Sequence, residues 1–479
     1  MMRRVRPALL DAVSPVRGAA SAPIIRDRRA RRARAAVAGF AFIAATAALA
    51  QGTALGVATW NLAWLMDAAT HARWAEACAR HGWPATTRAL PAGERATLAG
   101  LPFCDVHNGM RFPRDGCRST RDGWPDAARY PADHPCRETA DLAAWPAYEG
   151  KLAVLRATFA RLAAQGVGLV AVQEVTGAAA VQAILPEGWS VATTRELAGA
   201  PAIAQHVGIA WRRGVRVRDV ALVPALADGG VPDRPLRPGL AFTVTVAGKP
   251  VRALVVHLKS GCRSRDLDAP LTDRDAKLAP ERRDAIASDC AMLRYQLPAL
   301  EAWIDAHASG DLAVLGDFNR TLLREPVAES PTYRTRLDGS APGDPLGPCT
   351  MTRDGARLVA ACAARTRAVF PELNDGQPDG AVLWRARFAD GGRGGTIPKG
   401  SSGDCRIDGA HGELTHDGID HVLIGASLKA RLAPSALTMR AVNYVDAAGA
   451  PLRADPGAAL PSDHCAHVVT WEARRGPAP

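Results

Sequence analysis

Six short segments of the sequence place an acid, an amide or a histidine at the end of an apolar run. They are TWN with Asn61, VQEV with Gln173 and Glu174, VVHLKSG with His257, GDFN with Asp317 and Asn319, GIDHVLI with Asp420, and PSDH with Asp463 and His464. Each residue alone has an ordinary explanation as a turn residue, a solvated strand end or a hydrogen-bonded core histidine. Six such ends in one chain instead indicate that the ends converge on one site.

The residue types at these ends suit acid–base chemistry. Carboxylate and amide oxygens are ligands that suit Mg2+ or Mn2+, and the lack of cysteine at these ends disfavours zinc. Imidazole titrates close to neutral pH and can therefore accept or donate a proton. The sequence thus predicts a polar site built from strand ends, at which oxygen ligands would favour Mg2+ or Mn2+ over zinc if a metal ion binds.

The elements that must position these groups are mostly strands. LAVLGDFNR at 312–320 runs apolar like a buried strand before it reaches Asp317 and Asn319, and a rigid strand positions catalytic groups better than a loop does. Apolar or alternating runs predict further strands at 54–65, at 167–175, between 206 and 260, and after 417. Helical spacing predicts helices over 148–166 and 280–308. This pattern predicts an α/β domain with a mixed sheet, or two packed sheets, and outer helices.

Two irregular regions interrupt the pattern, at about 66–146 and about 334–416. The first has no clear helical or strand period, and we expect a long insertion pinned by disulfides, because an unbraced loop of that length is rare in a compact domain. The second contains DGGRGGTIPKGSSGD, whose glycines and serines predict a mobile loop. The remainder of 51–479 is expected to form a single domain.

Residues 1–50 have the features of an export leader. Ten arginines against two aspartates give them a charge of +8, out of +11 for the whole chain, so the rest is close to neutral. An apolar run over 35–47 is too short to span a bilayer and ends in Ala48-Leu49-Ala50, a small-x-small cleavage pattern. We expect a periplasmic or secreted protein that starts near Gln51, and a membrane anchor is the less favoured alternative.

The cysteines agree with export. All ten follow the proposed cleavage point, and an even number in an exported chain suggests disulfides. Zinc is disfavoured because the sequence contains no C-x2-C pair. The full connectivity cannot be deduced from the sequence, but Cys262–Cys290 and Cys349–Cys362 are reasonable local pairs.

Taken in chain order, the six segments resemble the motifs of the endonuclease/exonuclease/phosphatase superfamily, which includes DNase I-like nucleases. GDFN and the terminal SDH are fairly specific together, whereas QE alone would carry no weight. The resemblance covers about 54–65, 150–333 and 417–473, and the two irregular regions fall outside it. It implies a DNase I-like four-layer α/β/β/α sandwich of two mixed β-sheets with outer helices.

The resemblance also implies a metal ligand set and phosphate contacts. Glu174 would bind Mg2+, with Mn2+ as a possible substitute, helped by Asn61 or Asp463. Asn319 would hold a phosphoryl oxygen, and Asn61 would also contact the substrate. Lys259 would add positive charge at the phosphate, although a solvated lysine is almost as good an interpretation.

The same resemblance implies an acid–base apparatus. His464 would act as the general base and be held by a carboxylate, while Asp317 would orient or deprotonate the attacking water. The choice between these two as the base stays open at this point. His257 would donate to the phosphate or to the leaving group, and Asp420 would orient His257.

For the substrate, the resemblance favours nucleic acid and hence a nuclease. A phosphomonoesterase, or a sphingomyelinase-type phosphodiesterase acting on lipid, would use the same site and stays open as an alternative. The sequence shows no long exposed apolar hairpin of the kind that a membrane-docking lipase needs. A binding protein with a dead site is the alternative from another class, but no expected catalytic position is replaced. We expect a monomer with no stable membrane anchor.

Overall fold

The computed structural model describes residues 54–84, 90–104, 145–229, 235–325, 349–362, 366–374, 382–388, 418–450, 452, 461–462 and 464–474. The predicted leader, its cleavage site and Asp463 lie outside these ranges. So do large parts of the two predicted insertions. All structural statements below concern the described residues.

The described chain contains fifteen strands and seven α-helices. The strands are β1 (Ala54–Leu65), β2 (Val167–Val175), β3 (Trp189–Thr193), β4 (His206–Arg212), β5 (Val217–Val223), β6 (Gly239–Val246), β7 (Lys249–His257), β8 (Leu312–Asp317), β9 (Cys349–Asp354), β10 (Arg357–Cys362), β11 (Leu383–Arg385), β12 (Arg387–Phe388), β13 (Asp420–Gly425), β14 (Thr438–Val442) and β15 (Ala466–Glu472). The helices are α1 (Ala68–Arg80), α2 (Ala92–Ala96), α3 (Trp145–Ala164), α4 (Ala178–Gln182), α5 (Pro280–Asp305), α6 (Phe370–Leu373) and α7 (Ala426–Arg431).

Thirteen of the strands form two mixed sheets. The first has the order β12-β14-β15-β1-β2-β4-β3, and the second has the order β11-β13-β8-β7-β6-β5. At the centre of each sheet lies one parallel pair, β1 with β2 and β7 with β8, while their other neighbours are antiparallel. The parallel pairs need long crossovers, and each crossover carries a long helix, α3 or α5.

The hydrophobic core lies in three layers, which explains why the central strands are apolar on both faces. Buried side chains such as Ile209, Phe242 and Leu315 pack between the two sheets. A second cluster joins the first sheet to α3 and α1, and a third joins the second sheet to α5. The predicted four-layer α/β/β/α sandwich is therefore confirmed.

One glycine is required by close packing just before the GDFN acid. Gly316 has φ +142°, and a Cβ atom at this position would lie 2.0 Å from the carbonyl oxygen of Val256 on the parallel neighbour β7. Only glycine allows β8 to approach β7 this closely. The close approach brings the two strand ends, and the residues on them, into register.

The predicted irregular regions contain more regular structure than we expected. Helix α1 occupies 68–80. Its N-cap is Asp67, whose carboxylate accepts a hydrogen bond from the backbone amide of Thr70 at 2.9 Å. Its buried face includes Trp74 and Cys78 at a helical spacing of four. This helical pattern is short and lies in a segment rich in tryptophan and proline, so the sequence did not predict the helix. In the second region, β9 and β10 form a hairpin, and β11 joins the second sheet.

Three disulfides are formed among the described cysteines. Cys262–Cys290 and Cys349–Cys362 confirm the two local pairs suggested by the sequence. The third pair, Cys78–Cys104, ties the end of α1 to the segment that follows α2. Disulfides thus brace both irregular regions, as predicted.

Candidate active site

The polar strand ends meet at one edge of the sandwich. His257, Asp317 and Asp420 lie side by side on β7, β8 and β13, because each is the register partner of the next. In the facing sheet, Asn61 of β1 is the register partner of Gln173 on β2. Gln173 itself points to Thr59, with a hydrogen bond of 3.2 Å, so it supports the sheet.

Asp317 lies at the centre of the cluster. Its Oδ2 accepts a hydrogen bond from Asn61 Nδ2 at 3.1 Å and lies 3.4 Å from His257 Nε2 and 4.0 Å from His464 Nε2. Its Oδ1 accepts a hydrogen bond from the Asn319 amide at 2.7 Å. This side chain, contributed by the second sheet, therefore contacts groups from both sheets.

Asp420 holds His464, and our expectation that it orients His257 is wrong in this structure. Its Oδ2 lies 2.6 Å from His464 Nδ1. Because a carboxylate can only accept, Nδ1 carries the proton and Nε2 is turned toward Asp317. The register explains the difference, since Asp317 on β8 lies between His257 and Asp420.

The backbone of His464 is held by residues that sequence reasoning missed. Its carbonyl oxygen accepts hydrogen bonds from Trp60 Nε1 at 3.3 Å and from the Tyr444 hydroxyl. Its amide donates to Ser462 Oγ at 3.1 Å, and this hydroxyl in turn donates to the carbonyl of Asn61 at 2.7 Å. Ser462 therefore joins the two segments that face Asp317 from the first sheet.

Glu174 reaches the cluster through a strained backbone. Its φ is +56°, and its side chain is 16% exposed with Oε1 3.7 Å from His257 Nε2. Asn319 also has a positive φ, +52°, and its Nδ2 donates to the carbonyl of Leu258 at 2.9 Å. Residues with a side chain rarely adopt this conformation unless their surroundings fix it, and such residues gather at functional sites.

The side chain of Lys259 is mostly buried, and its ammonium group is held by neighbouring residues. Its side chain is 9% exposed, and its Nζ forms an ion pair with Asp289 Oδ1 at 2.7 Å and donates to the carbonyl of Ser260 at 2.8 Å. Asp289 therefore balances its charge. The substrate contact predicted for Lys259 stays a prediction.

Arg237 supports the segment that carries His257, and no local sequence signal pointed to it. Its Nε donates to the carbonyl of His257 at 3.1 Å, and its Nη2 donates to the carbonyl of Leu258. Its Nη1 lies 3.3 Å from Gln205 Oε1. Arg237 is buried, and its role became visible only once the strands were in place.

Burial and charge shift the titration of the cluster. Burial, helped by the negative charge of Asp420, raises the pKa of Asp317 to about 7. Burial lowers the pKa of His257 well below its ordinary value, and the Arg237 guanidinium lowers it further, so His257 is neutral at pH 7. Burial alone would raise the pKa of Asp420, but the charge and hydrogen bond of His464 outweigh it and hold that pKa low.

The donor set fits a divalent cation. Ligand atoms of Asp317, Asp420 and His464 lie within 4.8 Å of one another, and Glu174 adds a carboxylate beside His257. In addition, the buried atoms Asp420 Oδ1 and His257 Nδ1 have no hydrogen-bond partner among the described residues. Three neighbouring carboxylates, of which Asp317 and Asp420 are buried, fit an added positive charge. Asp463, the other predicted ligand, is outside the described residues.

No family model and no curated protein matches the sequence. Similar solved structures include humanized D. rerio TDP2, at 12% identity over 88% of this chain and 99% of that chain, with a TM-score of 0.34. An endonuclease/exonuclease/phosphatase family protein from Bacteroides thetaiotaomicron matches at 13% identity over 70% and 90%, with a TM-score of 0.32. ANGEL2, described as a 2',3'-cyclic phosphatase, matches at 12% over 88% and 96%, with a TM-score of 0.35. At these values none of the matches informs the activity of this chain.

The architecture and the motif order decide the fold. Two mixed sheets pack face to face between helices, and polar residues of β1, β2, β7, β8 and β13 meet at one edge with His464, which lies two residues before β15. This is the endonuclease/exonuclease/phosphatase fold. In this structure the six segments recognised in the sequence line the candidate site through their described residues.

Proposed function

We propose that this protein is a metal-dependent phosphodiesterase and, within that class, a nuclease. The observation that carries the proposal is the position of Asp317, which faces Asn61, His257 and His464 while Asp420 holds His464 from behind. Hydrolysis of a phosphodiester needs an oriented water, a proton acceptor and neutralisation of the phosphate charge. The cluster offers groups for each of these needs.

Glu174 would hold the cation, with help from Asn61 or Asp463, as the family resemblance of the six segments implies. Mg2+ is the favoured ion and Mn2+ a substitute, since the donors are carboxylates. When bound, the cation neutralises phosphate charge and stabilises the charge that develops on the oxygens. The amide oxygen of Asn61 already accepts from the Ala63 amide at 2.9 Å, so its nitrogen faces the cluster. Asn61 is therefore better suited to orienting groups than to ligating the metal.

The chain's own residues divide the proton chemistry between them. His464 presents Nε2 toward the cluster, and Asp420 stabilises the imidazolium that forms when Nε2 takes a proton from water. Asp317 accepts a hydrogen bond from that water and so orients it for proton transfer to His464. His257 is neutral and can donate a hydrogen bond to a phosphoryl or leaving oxygen. The side-chain amide of Asn319 donates one N–H to the carbonyl of Leu258 and has a second N–H to donate.

The proposal also includes export of the protein and nucleic acid as its substrate. The arginine-rich leader and the disulfides of the described residues support export. Nucleic acid is proposed as the substrate from the resemblance of the six segments to those of nucleases. None of the helices in the described part of the chain has the length and apolar character to cross a bilayer. We propose that the protein acts as a monomer.

A substrate panel tests the proposed class. With Mg2+ present, we expect cleavage of plasmid DNA or RNA and of bis(4-nitrophenyl) phosphate, a minimal diester. We expect much slower turnover of 4-nitrophenyl phosphate, a monoester, and of sphingomyelin vesicles. Faster turnover of the monoester would replace the proposal by a phosphomonoesterase, and preference for sphingomyelin would replace it by a lipid phosphodiesterase.

A further inference from the structure

The strand β1 leaves its ladder with β2 immediately after Asn61. Asn61 pairs with Gln173, but the next paired residues are Leu65 and Val175. Residues 62–64 therefore stand opposite Glu174 alone, and we call them the β1 bulge. A bulge bends its strand and re-aims nearby side chains, and bulges occur often beside active sites.

The β1 bulge has an unfavourable backbone. Ala63 has φ +45° and Trp64 has φ +60°, although neither is a glycine, and Glu174 across the ladder has φ +56°. Two consecutive residues with side chains in this region are held there only when surrounding contacts fix them.

Two buried side chains from one turn of α3 hold the β1 bulge. Lys151 Nζ donates to the carbonyl of Ala63, and the Tyr148 hydroxyl donates to the carbonyl of Trp64 at 3.1 Å. The same hydroxyl accepts a hydrogen bond from the Met66 amide at 2.7 Å. Both side chains are at most 1% exposed, and burial raises the pKa of Tyr148, so its hydroxyl stays protonated and able to donate.

The β1 bulge in turn sets the orientation of the Asn61 side chain. The Ala63 amide donates to Asn61 Oδ1 at 2.9 Å, and Asn61 Nδ2 donates to Asp317 Oδ2 at 3.1 Å. An N–H group must face the amide oxygen and a carboxylate must face the amide nitrogen. Only one orientation of Asn61 satisfies both contacts, and the position of Ala63 selects it.

We propose that Tyr148 and Lys151 are positioning residues that act on the active site through the β1 bulge, which aims the Asn61 amide at Asp317. This inference rests on the proposed function for its kinetic readout. It predicts that the helix packed behind the first sheet contributes to the rate without touching substrate. A purely structural role would make Tyr148 and Lys151 matter for stability alone.

Tyr148→Phe tests the proposal because it removes one hydroxyl and keeps the ring. We expect kcat for bis(4-nitrophenyl) phosphate to fall roughly tenfold or more, as for other groups that orient an active residue, while KM changes little. In an Asn61→Ala background the same change should cause no further loss of kcat, because the residue through which it acts is already gone. Lys151→Met, which removes the ammonium group, should show the same dependence on Asn61.

Thr158→Val is the matched control on the same helix. Thr158 is buried, and its Oγ1 accepts a hydrogen bond from the Val445 amide at 3.2 Å, so the variant also removes one buried contact of α3. We expect a lower melting temperature and an unchanged kcat. The proposal is wrong if Tyr148→Phe and Lys151→Met leave kcat unchanged, or if they lower kcat equally with and without Asn61.

A second readout separates this proposal from the proposed function. The chain has five asparagines, so selective 15N-asparagine labelling gives few side-chain amide signals, and Asn61→Ala identifies the signal of Asn61. We expect Tyr148→Phe to shift that signal and Thr158→Val to leave it in place. If the signal shifts but the protein hydrolyses no phosphodiester, the proposed function fails and the positioning stands. An unshifted signal overturns the positioning even in an active enzyme.

Discussion

Replacing Asp317 with asparagine is expected to lower kcat for phosphodiester hydrolysis by at least about 10²–10⁴-fold, the range in which acid–base groups contribute. Asp317 lies beside Asn61, His257 and His464 together, and asparagine keeps its shape while losing the charge that orients the attacking water. The measurement is kcat on bis(4-nitrophenyl) phosphate in Mg2+, with a melting curve on the same preparation.

The melting curve distinguishes a loss of catalysis from a loss of stability in Asp317→Asn. Because burial and Asp420 raise the pKa of Asp317 to about 7, the folded state binds this proton more tightly than the unfolded state. The charge on Asp317 therefore costs stability as the pH rises from about 4 through 7, and Asp317→Asn should not melt lower than wild type at pH 8 in EDTA. Asp311→Asn, which weakens an ion pair with Arg431 at the other end of β8, should lower the melting temperature and keep kcat.

Replacing His464 with alanine is expected to cost about 10²–10⁴-fold in kcat, and Asp420→Asn should approach the same loss. The carboxylate of Asp420 fixes the proton on His464 Nδ1 at 2.6 Å and stabilises the imidazolium. An asparagine at 420 can offer its amide nitrogen instead and allow the wrong tautomer. The measurement is kcat for each single variant and for the double variant.

The double variant decides whether the two residues act as one unit. If Asp420 acts through His464, His464→Ala with Asp420→Asn should be no slower than His464→Ala alone. Losses that multiply would show that Asp420 has a separate role, for example at the metal. Equal activity of His464→Ala and wild type would remove His464 from the mechanism.

The strands and the polar residues at their ends were predictable because they depend on local pattern. LAVLGDFNR and VGLVAVQEV are apolar runs typical of a buried strand, and the polar ends of such strands lie at a sheet edge. The order of the six segments along the chain then matched the motif order of the endonuclease/exonuclease/phosphatase superfamily, and this resemblance predicted the fold. The structure places Asn61, Glu174, His257, Asp317 and His464 at that one edge, as the sequence led us to expect.

Contacts between sheets and helices were not predictable in the same way. The partner of Asp420 depends on which strand lies between it and His257, and the sequence does not give the strand order. Arg237, Ser462 and Tyr444 each donate a hydrogen bond to a backbone carbonyl that is distant in sequence, and a single residue of this kind carries no periodic signal. Helix α1 was missed because its one buried stripe is short and lies in a segment rich in tryptophan and proline.

The dependence of phosphodiester hydrolysis on Mg2+ in wild type and in Glu174→Gln tests the central claim most directly. Wild type should be inactive in EDTA and recover when Mg2+ is restored. Glu174→Gln, which loses the charge of a metal-binding carboxylate, should need at least about tenfold more Mg2+ for half-maximal kcat and should recover in part at high Mg2+. Activity that persists in EDTA, or Mg2+ curves that coincide for the two proteins, would contradict a metal-dependent phosphodiesterase at this site.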